Sequence, residues 1–351
     1  MQEKGTSLPR NNRTIIRGVI VALSLSALAT SLIFYYTNAD INQAFSSVNF
    51  WYLAAAVALI FLNYALEAEK LCAITDAIGR ELSFRKALQI ALVGSFFANI
   101  TPFDTGGEPF QIYLLARNGI AAGKSVAVIM VKGIISAIAR LALGIVIPVW
   151  LILMKKAWSL PPVLNTFLNV GIFLYLIATF LMILFTFRPQ LLSRFVRWLF
   201  TRHLLERFWK REKLNMMADR IVHVVQEFRD SIREVARTKR KNLILVGFYS
   251  MLLWIITLTV PALLLWGLGV NSPLSQILAV GIIFYLASAY APTPGSSGVA
   301  EAGFAAVFFM ANLVPYPLLG VFVILWRFLT YYMSLLIGGI VSFFAFFHRK
   351  R

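Results

Sequence analysis

The sequence predicts an all-α integral membrane protein, a polytopic helical bundle with two inverted repeats that each hold a re-entrant helical hairpin. Three observations lead to this fold. Apolar residues make up 59% of the 351 residues and charged residues only 14%, against about 25% charged in soluble domains. Long apolar stretches recur along the chain, and two of them are broken by similar motifs containing Pro and Gly. The basic residues concentrate in alternate loops, as in multi-pass membrane proteins.

Six stretches are apolar over the roughly 20 residues that a membrane-spanning helix needs. The first is longer than the apolar core of a signal peptide, and no convincing small-residue cleavage site follows it, so we interpret it as a transmembrane helix. The six predicted spans are 15–36, 50–66, 126–154, 163–187, 243–268 and 318–347.

Two further apolar segments are interrupted near their centres. Segment 87–117 is broken by the sequence TPFDTGGE at 101–108, and segment 277–313 is broken by PTPGSSG at 292–298. Such backbone cannot satisfy its own hydrogen bonds, so it is tolerated at membrane depth only where it is buried in protein or lines a cavity. The pattern therefore predicts two hairpins of half-length helices that return to the side they left.

The Lys and Arg residues predict the orientation of these segments. With six crossings and two re-entrant hairpins, 28 of the 33 basic residues fall on one side, two on the other and three within spans. Positive-inside orientation then places both termini in the cytoplasm. Topology thus explains most of the net charge of +18 and removes the main support for nucleic-acid binding. Fifteen of these residues lie in a cytoplasmic loop, 188–241, which predicts either an amphipathic helix on anionic lipid or a linker beneath the bundle.

An internal repeat follows from the interrupted segments. The sequence LQIALVG at 88–94 resembles SQILAVG at 275–281, and each leads to a Thr-Pro pair and then to Glu108 or Glu301. Three crossings separate the hairpins, so the two halves should have opposite orientations. We divide the single domain, 1–351, into a first repeat of about 50–187, the basic loop and a second repeat of about 242–347. Inverted repeats whose broken helices meet near the midplane are typical of transporters.

Charged side chains at membrane depth cost about 2.5–3.5 kcal/mol each, so they should face the bundle interior. An unpaired cation among them would suit a lipid phosphate. The alternative is that Glu108 pairs with Lys132, and Glu301 with Arg327, merely to lock the hairpins. Backbone N–H groups at the Gly-rich turns could also bind an anion, although glycines simply permit tight turns as well. The predicted substrate-binding residues are Thr101, Asp104, Gly106, Gly107, Glu108, Tyr113, Lys132, Arg140, Thr293, Pro294, Gly295, Ser296, Ser297, Gly298, Glu301 and Arg327.

Motifs for catalysis, metals and cofactors are missing from the sequence. The three histidines fall in predicted cytoplasmic segments, Cys72 is the single cysteine, and neither a Walker A nor a GxSxG motif occurs. We therefore predict no catalytic residue, no metal and no cofactor.

These motifs carry a resemblance to a known family. Residues 99–109, 113–117, 292–304 and 326–332 are similar to the paired motifs of the lysylphosphatidylglycerol synthase transmembrane-region family, the flippase-like domain. The resemblance implies a bacterial inner-membrane protein, related to the part of multiple-peptide-resistance proteins that moves aminoacylated phosphatidylglycerol between leaflets. The soluble aminoacyltransferase domain of those proteins has no counterpart here, so we expect no enzyme activity from this chain alone. The stretch MVKGIIS at 130–136 departs from the acidic residue and arginine of many members, which leaves the headgroup open.

The function predicted on this basis is a lipid flippase that works either as a scramblase or as a proton-coupled flippase. Its substrate would be an anionic or aminoacylated phospholipid, such as lysyl-phosphatidylglycerol, or a polyprenyl-phosphate-linked lipid. One alternative is a membrane subunit of aminoacyl-lipid or glycolipid synthesis that needs a separate soluble synthase, and another is a scaffold whose basic loop recruits partners. The expected partners are membrane lipids, with a soluble synthase and a homo-oligomer left open, and no nucleic acid.

Overall fold

The computed structural model describes residues 12–37, 48–153, 240–288 and 292–347, with isolated positions between 162 and 184. These residues are almost entirely helical, and no β-strand occurs among them. Five of the described helices are long and apolar enough to cross a membrane, which confirms a helical multi-pass membrane protein. They cover Gly18–Thr37, Phe50–Ala77, Ala122–Ile147, Lys241–Gly267 and Tyr316–Phe346.

The described helices follow one another in the predicted order. Helices α9 and α10 form one rod, because only a single π-helical turn separates them. The elements are α1 (Asn12–Thr37), α2 (Phe50–Ala77), α3 (Phe84–Asn99), α4 (Gly107–Arg117), α5 (Ala122–Leu153), α6 (Arg240–Gly267), α7 (Leu274–Ser288), α8 (Val299–Met310), a 3₁₀ turn (Tyr316–Leu318), α9 (Leu319–Arg327), the π turn (Phe328–Tyr332) and α10 (Met333–Phe347).

Two predicted segments lie largely outside the described residues. They are the fourth span, 163–187, and the basic loop, 188–241. Within the fourth span, Tyr175 is described and buried, and it contributes to the site below.

Helix α2 is longer than predicted. The prediction ended this span at Leu66 and placed Lys70 in a cytoplasmic flank, whereas the helix continues to Ala77 and Lys70 is 1% exposed. A prediction from hydropathy ends the span where charged residues begin. In the structure Glu67 and Lys70 are three residues apart on one helix face and form an ion pair. Internal pairing thus lets the helix continue and brings two further charges into the bundle.

The packing of the helices is similar in the two halves. Helices α2 and α6 pack along each other at the centre. Helix α3 packs against α2 and α10, while α7 packs against α6 and α5. Each of these short helices therefore contacts the long helix that follows the interruption in the other half.

Both predicted interruptions are turns that begin with the same conformation and differ at the residue before the next helix, where φ is −73° for Gly106 and 84° for Gly298. Pro102 and Pro294 form an isolated antiparallel bridge, so the two turns contact each other. The next two residues have positive φ in both turns, 56° and 53° for Phe103 and Asp104, and 56° and 54° for Gly295 and Ser296. Counted from the bridging prolines, Pro109 corresponds to Glu301, because each lies seven residues later. The predicted equivalence of Glu108 with Glu301 is therefore wrong by one residue.

Candidate functional site

Helices α2, α4, α5 and α6 surround a cavity of about 490 Å³. Glu108, in the helix that follows the first turn, is one of its lining residues, and Tyr175 from the fourth predicted span also lines it. We call it the polar cavity. Its charged lining residues are Glu67, Lys70, Glu108, Lys132 and Arg140, and its neutral polar lining residues include Asn63, Ser136, Tyr175, Ser250, Trp254 and Thr257.

Ion pairs organise one wall of the polar cavity. Lys70 Nζ donates to Glu67 Oε1 at 2.8 Å and to Ser136 Oγ at 3.0 Å. Lys132 Nζ donates to Gln111 Oε1 at 2.9 Å and lies 3.7 Å from Glu67 Oε2. Lys132 therefore pairs with Glu67. The alternative interpretation predicted that it pairs with Glu108, which lines another part of the cavity. Sequence reasoning missed Glu67 and Lys70, although their spacing of three on a continuing helix could have signalled a buried pair.

Arg140 lies between two aromatic rings at the other wall. Its guanidinium carbon is 4.1 Å from the centre of the Trp254 ring and 4.9 Å from that of Tyr175. Trp254 is held in place because its indole N–H donates to the Ser136 carbonyl at 3.2 Å. Such stacking holds a cation at depth while its edge stays available for hydrogen bonds. Arg140 and Lys132 share a helix face, as predicted, and both line the cavity.

The neutral side chains add donors and acceptors. Asn63 Nδ2 donates to Thr257 Oγ1 at 3.4 Å, while Ser250 Oγ is buried without a hydrogen-bond partner among the described residues. Around the cavity these residues place three cations and two carboxylates, one positive charge in excess. That balance suits a ligand that carries a single negative charge, such as a phosphodiester.

A second charge cluster forms around Glu301 and is closed. Glu301 is fully buried and Arg327 is 4% exposed. Arg327 Nη2 donates to Glu301 Oε2 at 2.9 Å, and the Gly298 N–H donates to the same oxygen at 2.7 Å. Glu301 lies in the first turn of α8, where a carboxylate also interacts favourably with the helix dipole. Glu301 and Arg327 thus form the ion pair that the alternative interpretation predicted to lock the second hairpin.

Helix α1 covers the remaining carboxylate oxygen. Ser26 Oγ donates to Glu301 Oε1, and because a hydroxyl has one hydrogen, Tyr332 OH donates to Ser26 Oγ at 2.7 Å. Tyr332 belongs to the π turn that directly follows Arg327. Single π turns often occur at functional sites, and this one orients two consecutive tyrosines. We call Ser26, Glu301, Arg327 and Tyr332 the closed cluster.

Tyr331 links the closed cluster to the first turn. Both terminal nitrogens of Arg327 donate to the Gly295 carbonyl, at 3.3 and 3.4 Å. Tyr331 OH accepts from Ser297 Oγ at 3.4 Å and donates to the Asn99 carbonyl at 3.3 Å. A Cβ on Gly295 would lie 2.4 Å from the Tyr331 ring, so this close approach requires glycine.

The remaining predicted residues shape the turns. The Gly106 N–H donates to Thr101 Oγ1 at 2.8 Å. A Cβ on Gly107 would lie 2.6 Å from the Gly94 carbonyl, so glycine lets α3 and α4 pack closely. Asp104 is exposed in the first turn, and Tyr113 stacks on Phe346 at 6.1 Å, which is a packing role. Thr293 Oγ1, next to Pro294 in the second turn, is buried without a hydrogen-bond partner among the described residues.

The structure thus divides the predicted site. Glu108, Lys132 and Arg140 lie at the polar cavity. Glu301 and Arg327 lie in the closed cluster, where the second turn supplies the Gly295 carbonyl and the Gly298 N–H. These five charged residues therefore do not line one cavity in this conformation.

The chain is similar over most of its length to known membrane proteins. A family model described as Lysylphosphatidylglycerol synthase TM region matches residues 18–338. A protein described as a UPF0104 membrane protein from Archaeoglobus fulgidus is 25% identical over 324 residues, which cover 92% of this chain and 95% of the relative. Another of the same description, from Methanothermobacter thermautotrophicus, is 24% identical over 288 residues, which cover 81% and 82%. The matched residues include those of the polar cavity and of the closed cluster.

Proposed function

The chain belongs to the lysylphosphatidylglycerol synthase TM region family, and we propose that it is a lipid flippase that moves a phosphate-bearing lipid between the leaflets of the membrane. The substrate classes are an anionic or aminoacylated phospholipid, such as lysyl-phosphatidylglycerol, and a polyprenyl-phosphate-linked lipid. The observation that carries the proposal is the polar cavity with its three cations inside an apolar bundle.

The charges of the polar cavity support a headgroup site. Each charge at membrane depth is costly, and such residues usually mark a substrate pathway. Lys132 and Arg140 can bind phosphate oxygens, while Glu67 and Glu108 balance the cations when the cavity is empty. The same carboxylates could bind the ammonium group of an aminoacylated headgroup. The acyl chains would stay in the surrounding lipid.

The arrangement of the helices supports a transporter of two inverted repeats with re-entrant hairpins. The two turns have positive φ at corresponding residues after the proline and contact each other at Pro102 and Pro294. Helix α3 packs on α10, and α7 packs on α5, as expected if a two-fold axis relates the halves. Transporters built in this way place the substrate site where broken helices meet.

The proposed location is the cell membrane, with both termini in the cytoplasm. The concentration of Lys and Arg on one side of the predicted topology supports this orientation. The bacterial inner membrane, implied by the resemblance, stays a prediction.

The test is leaflet transfer by the purified protein in liposomes. Fluorescent phosphatidylglycerol, lysyl-phosphatidylglycerol, a polyprenyl phosphate and a phosphate-free glycolipid would each be quenched from outside over time. We expect faster transfer of at least one phosphate-bearing lipid than in protein-free liposomes, and no acceleration for the glycolipid. Transfer of none of them would contradict a flippase and favour a membrane subunit that needs a separate soluble synthase.

A further inference from the structure

Helix α1 is attached to the bundle by a narrow face. Its buried residues are small or carry hydroxyl groups, namely Ala22, Ser26, Thr30 and Thr37, while Val21, Leu23, Leu28 and Leu32 are exposed. Between helices in a bilayer there is little hydrophobic driving force, because lipid chains are as apolar as the helix surface they replace. Ile33 and Phe34 are partly buried against the bundle, and lipid chains would replace their apolar contacts when α1 separates.

Ser26 is the polar link between this face and the closed cluster. Thr30 and Thr37 donate to carbonyls of α1 itself, at 2.8 Å each, whereas Ser26 donates to Glu301. Near the end of α1, the Tyr316 hydroxyl donates to the Tyr36 carbonyl at 2.8 Å. Moving α1 away would break the Ser26 bond and leave Glu301 Oε1 open toward the space that α1 had filled.

One polar group of the closed cluster and one of the second turn have no hydrogen-bond partners in the part of the chain that the structure describes. Arg327 Nε and Thr293 Oγ1 are both buried and have no hydrogen-bond partner among the described residues. Burying a donor without a partner is costly, so these groups indicate a state of the protein in which a ligand satisfies them. A guanidinium Nε–H and a threonine hydroxyl are donors that suit the oxygens of a phosphate. Glu301 would then accept from a hydroxyl or ammonium group of the same headgroup.

Helix α1 also contacts the first turn. A Cβ on Gly18 would lie 3.7 Å from the Ile100 Cβ and 2.9 Å from the Ile100 carbonyl oxygen. One helix thus covers both the end of α3 and the Glu301–Arg327 pair.

We propose that α1 is a movable gate over a second headgroup site, formed by Glu301, Arg327 and Thr293. In the present conformation Ser26 occupies that site, and a lipid headgroup replaces it when α1 separates, with its phosphate at Arg327 and Thr293 and its hydroxyl or ammonium group at Glu301. This inference rests on the proposed flippase function and adds the route by which a headgroup reaches the second half of the bundle.

The experiment is a reversible cross-link between α1 and the first turn. In a Cys72→Ala background, Gly18→Cys and Ile100→Cys would place two Cβ atoms 3.7 Å apart, within the range of about 3.5–4.5 Å found in disulfides. We expect oxidation to slow lipid transfer in liposomes at least tenfold, and reductant to restore it. The control is Tyr52→Cys with Gly267→Cys between α2 and α6, whose Cβ atoms would lie 3.2 Å apart, just below that range, so its cross-link is first verified by a gel shift. Oxidation of this central pair should leave transfer unchanged.

A second variant guards against misfolding of the Gly18 substitution. Ser26→Ala removes the polar link and should speed transfer about two- to twelvefold, the range expected for loss of a hydrogen bond worth about 0.5–1.5 kcal/mol. Ser26→Thr keeps a hydroxyl and should stay closer to the wild type. Equal transfer in the oxidised and reduced Gly18 and Ile100 pair, or slower transfer in Ser26→Ala, would overturn the gate. If the reduced pair and the wild type both transfer no lipid, the flippase function itself fails and the gate falls with it.

Discussion

The polar cavity and the closed cluster use similar residues and differ in the space around them. Each holds a carboxylate that pairs with cations and an arginine that stacks on a Trp and a Tyr ring. The Lys132 side chain is 16% exposed in the polar cavity, whereas the Glu301 side chain is fully buried. The comparison shows that a buried ion pair alone does not define a ligand site, because open volume beside the charges is also required.

One residue explains much of the difference. Glu301 lies seven residues after Pro294, where it accepts from the Gly298 N–H and from Arg327. The same place in the first turn is taken by Pro109, which has no side-chain acceptor. The Gly106 N–H therefore bonds Thr101, and Lys132 pairs across the bundle with Glu67. The first turn thus forms no local lock, and the space beside it stays open.

The largest effect is expected for the stability of the protein when a charge of the closed cluster is removed. Glu301→Gln leaves Arg327 as a buried cation without its countercharge. Removing one partner of a buried pair costs about 3–5 kcal/mol, because the other charge stays buried and uncompensated. We expect a marked loss of thermal stability in detergent, measured by tryptophan fluorescence. Glu81→Gln, at an exposed position, is the matched control and should unfold like the wild type.

The double variant sharpens this result. Glu301→Gln with Arg327→Met removes both charges and should recover part of the stability lost by Glu301→Gln alone. Equal losses in the single and double variants would show that the charge pair itself is not the source of the stability.

The second-largest effect, on lipid transfer, distinguishes the role of the polar cavity from that of the closed cluster. Lys132→Met removes a cation from the open wall but leaves Lys70 to pair with Glu67. We expect lipid transfer to fall about 10- to 100-fold, equivalent to about 1.4–2.7 kcal/mol, with a much smaller stability loss than for Glu301→Gln. Lys241→Met removes an exposed cation and should transfer lipid normally. Normal transfer by Lys132→Met would contradict a headgroup role for this wall.

The smallest effect concerns the ring beneath Arg140. Trp254→Phe keeps an aromatic ring but loses the indole bond to the Ser136 carbonyl and weakens the cation–π contact. We expect a two- to fivefold slower transfer, because such contacts contribute about 0.5–1 kcal/mol. Trp266→Phe, on the same helix and also bonded to a backbone carbonyl, is the control. Equal slowing in both variants would assign the effect to packing.

Much of the fold could be predicted from hydropathy and charge. Five of the six predicted spans correspond to described helices, and both interruptions lie where Pro and Gly break the apolar segments. These features depend on local composition, which a single sequence displays directly. The end of α2 could not be predicted in the same way, since Lys70 is buried only because Glu67 and Ser136 satisfy it.

The candidate site was harder to predict because it depends on which helices meet. The buried charges after each turn were found from their cost at membrane depth, and Glu301 does pair with Arg327. The partner of Lys132 was missed, because Glu67 is 65 residues away along the chain. Ser26 carries no signal in an apolar helix, and only the packing of α1 on α8 brings it to Glu301.

The most direct test of the difference between the two clusters is cysteine labelling in the membrane. In a Cys72→Ala background, Ser136→Cys would face the polar cavity, and Ser297→Cys would lie fully buried beside the closed cluster. An anionic, water-soluble thiol reagent should modify Ser136→Cys, and added phosphatidylglycerol or polyprenyl phosphate should slow the reaction. Ser297→Cys should react much more slowly than Ser136→Cys, because the second site is exposed only while α1 is separated, and it should react fully after unfolding in SDS. Equal labelling of both cysteines, or labelling of Ser136→Cys that no phosphate-bearing lipid slows, would contradict an open headgroup site in the first half of the bundle.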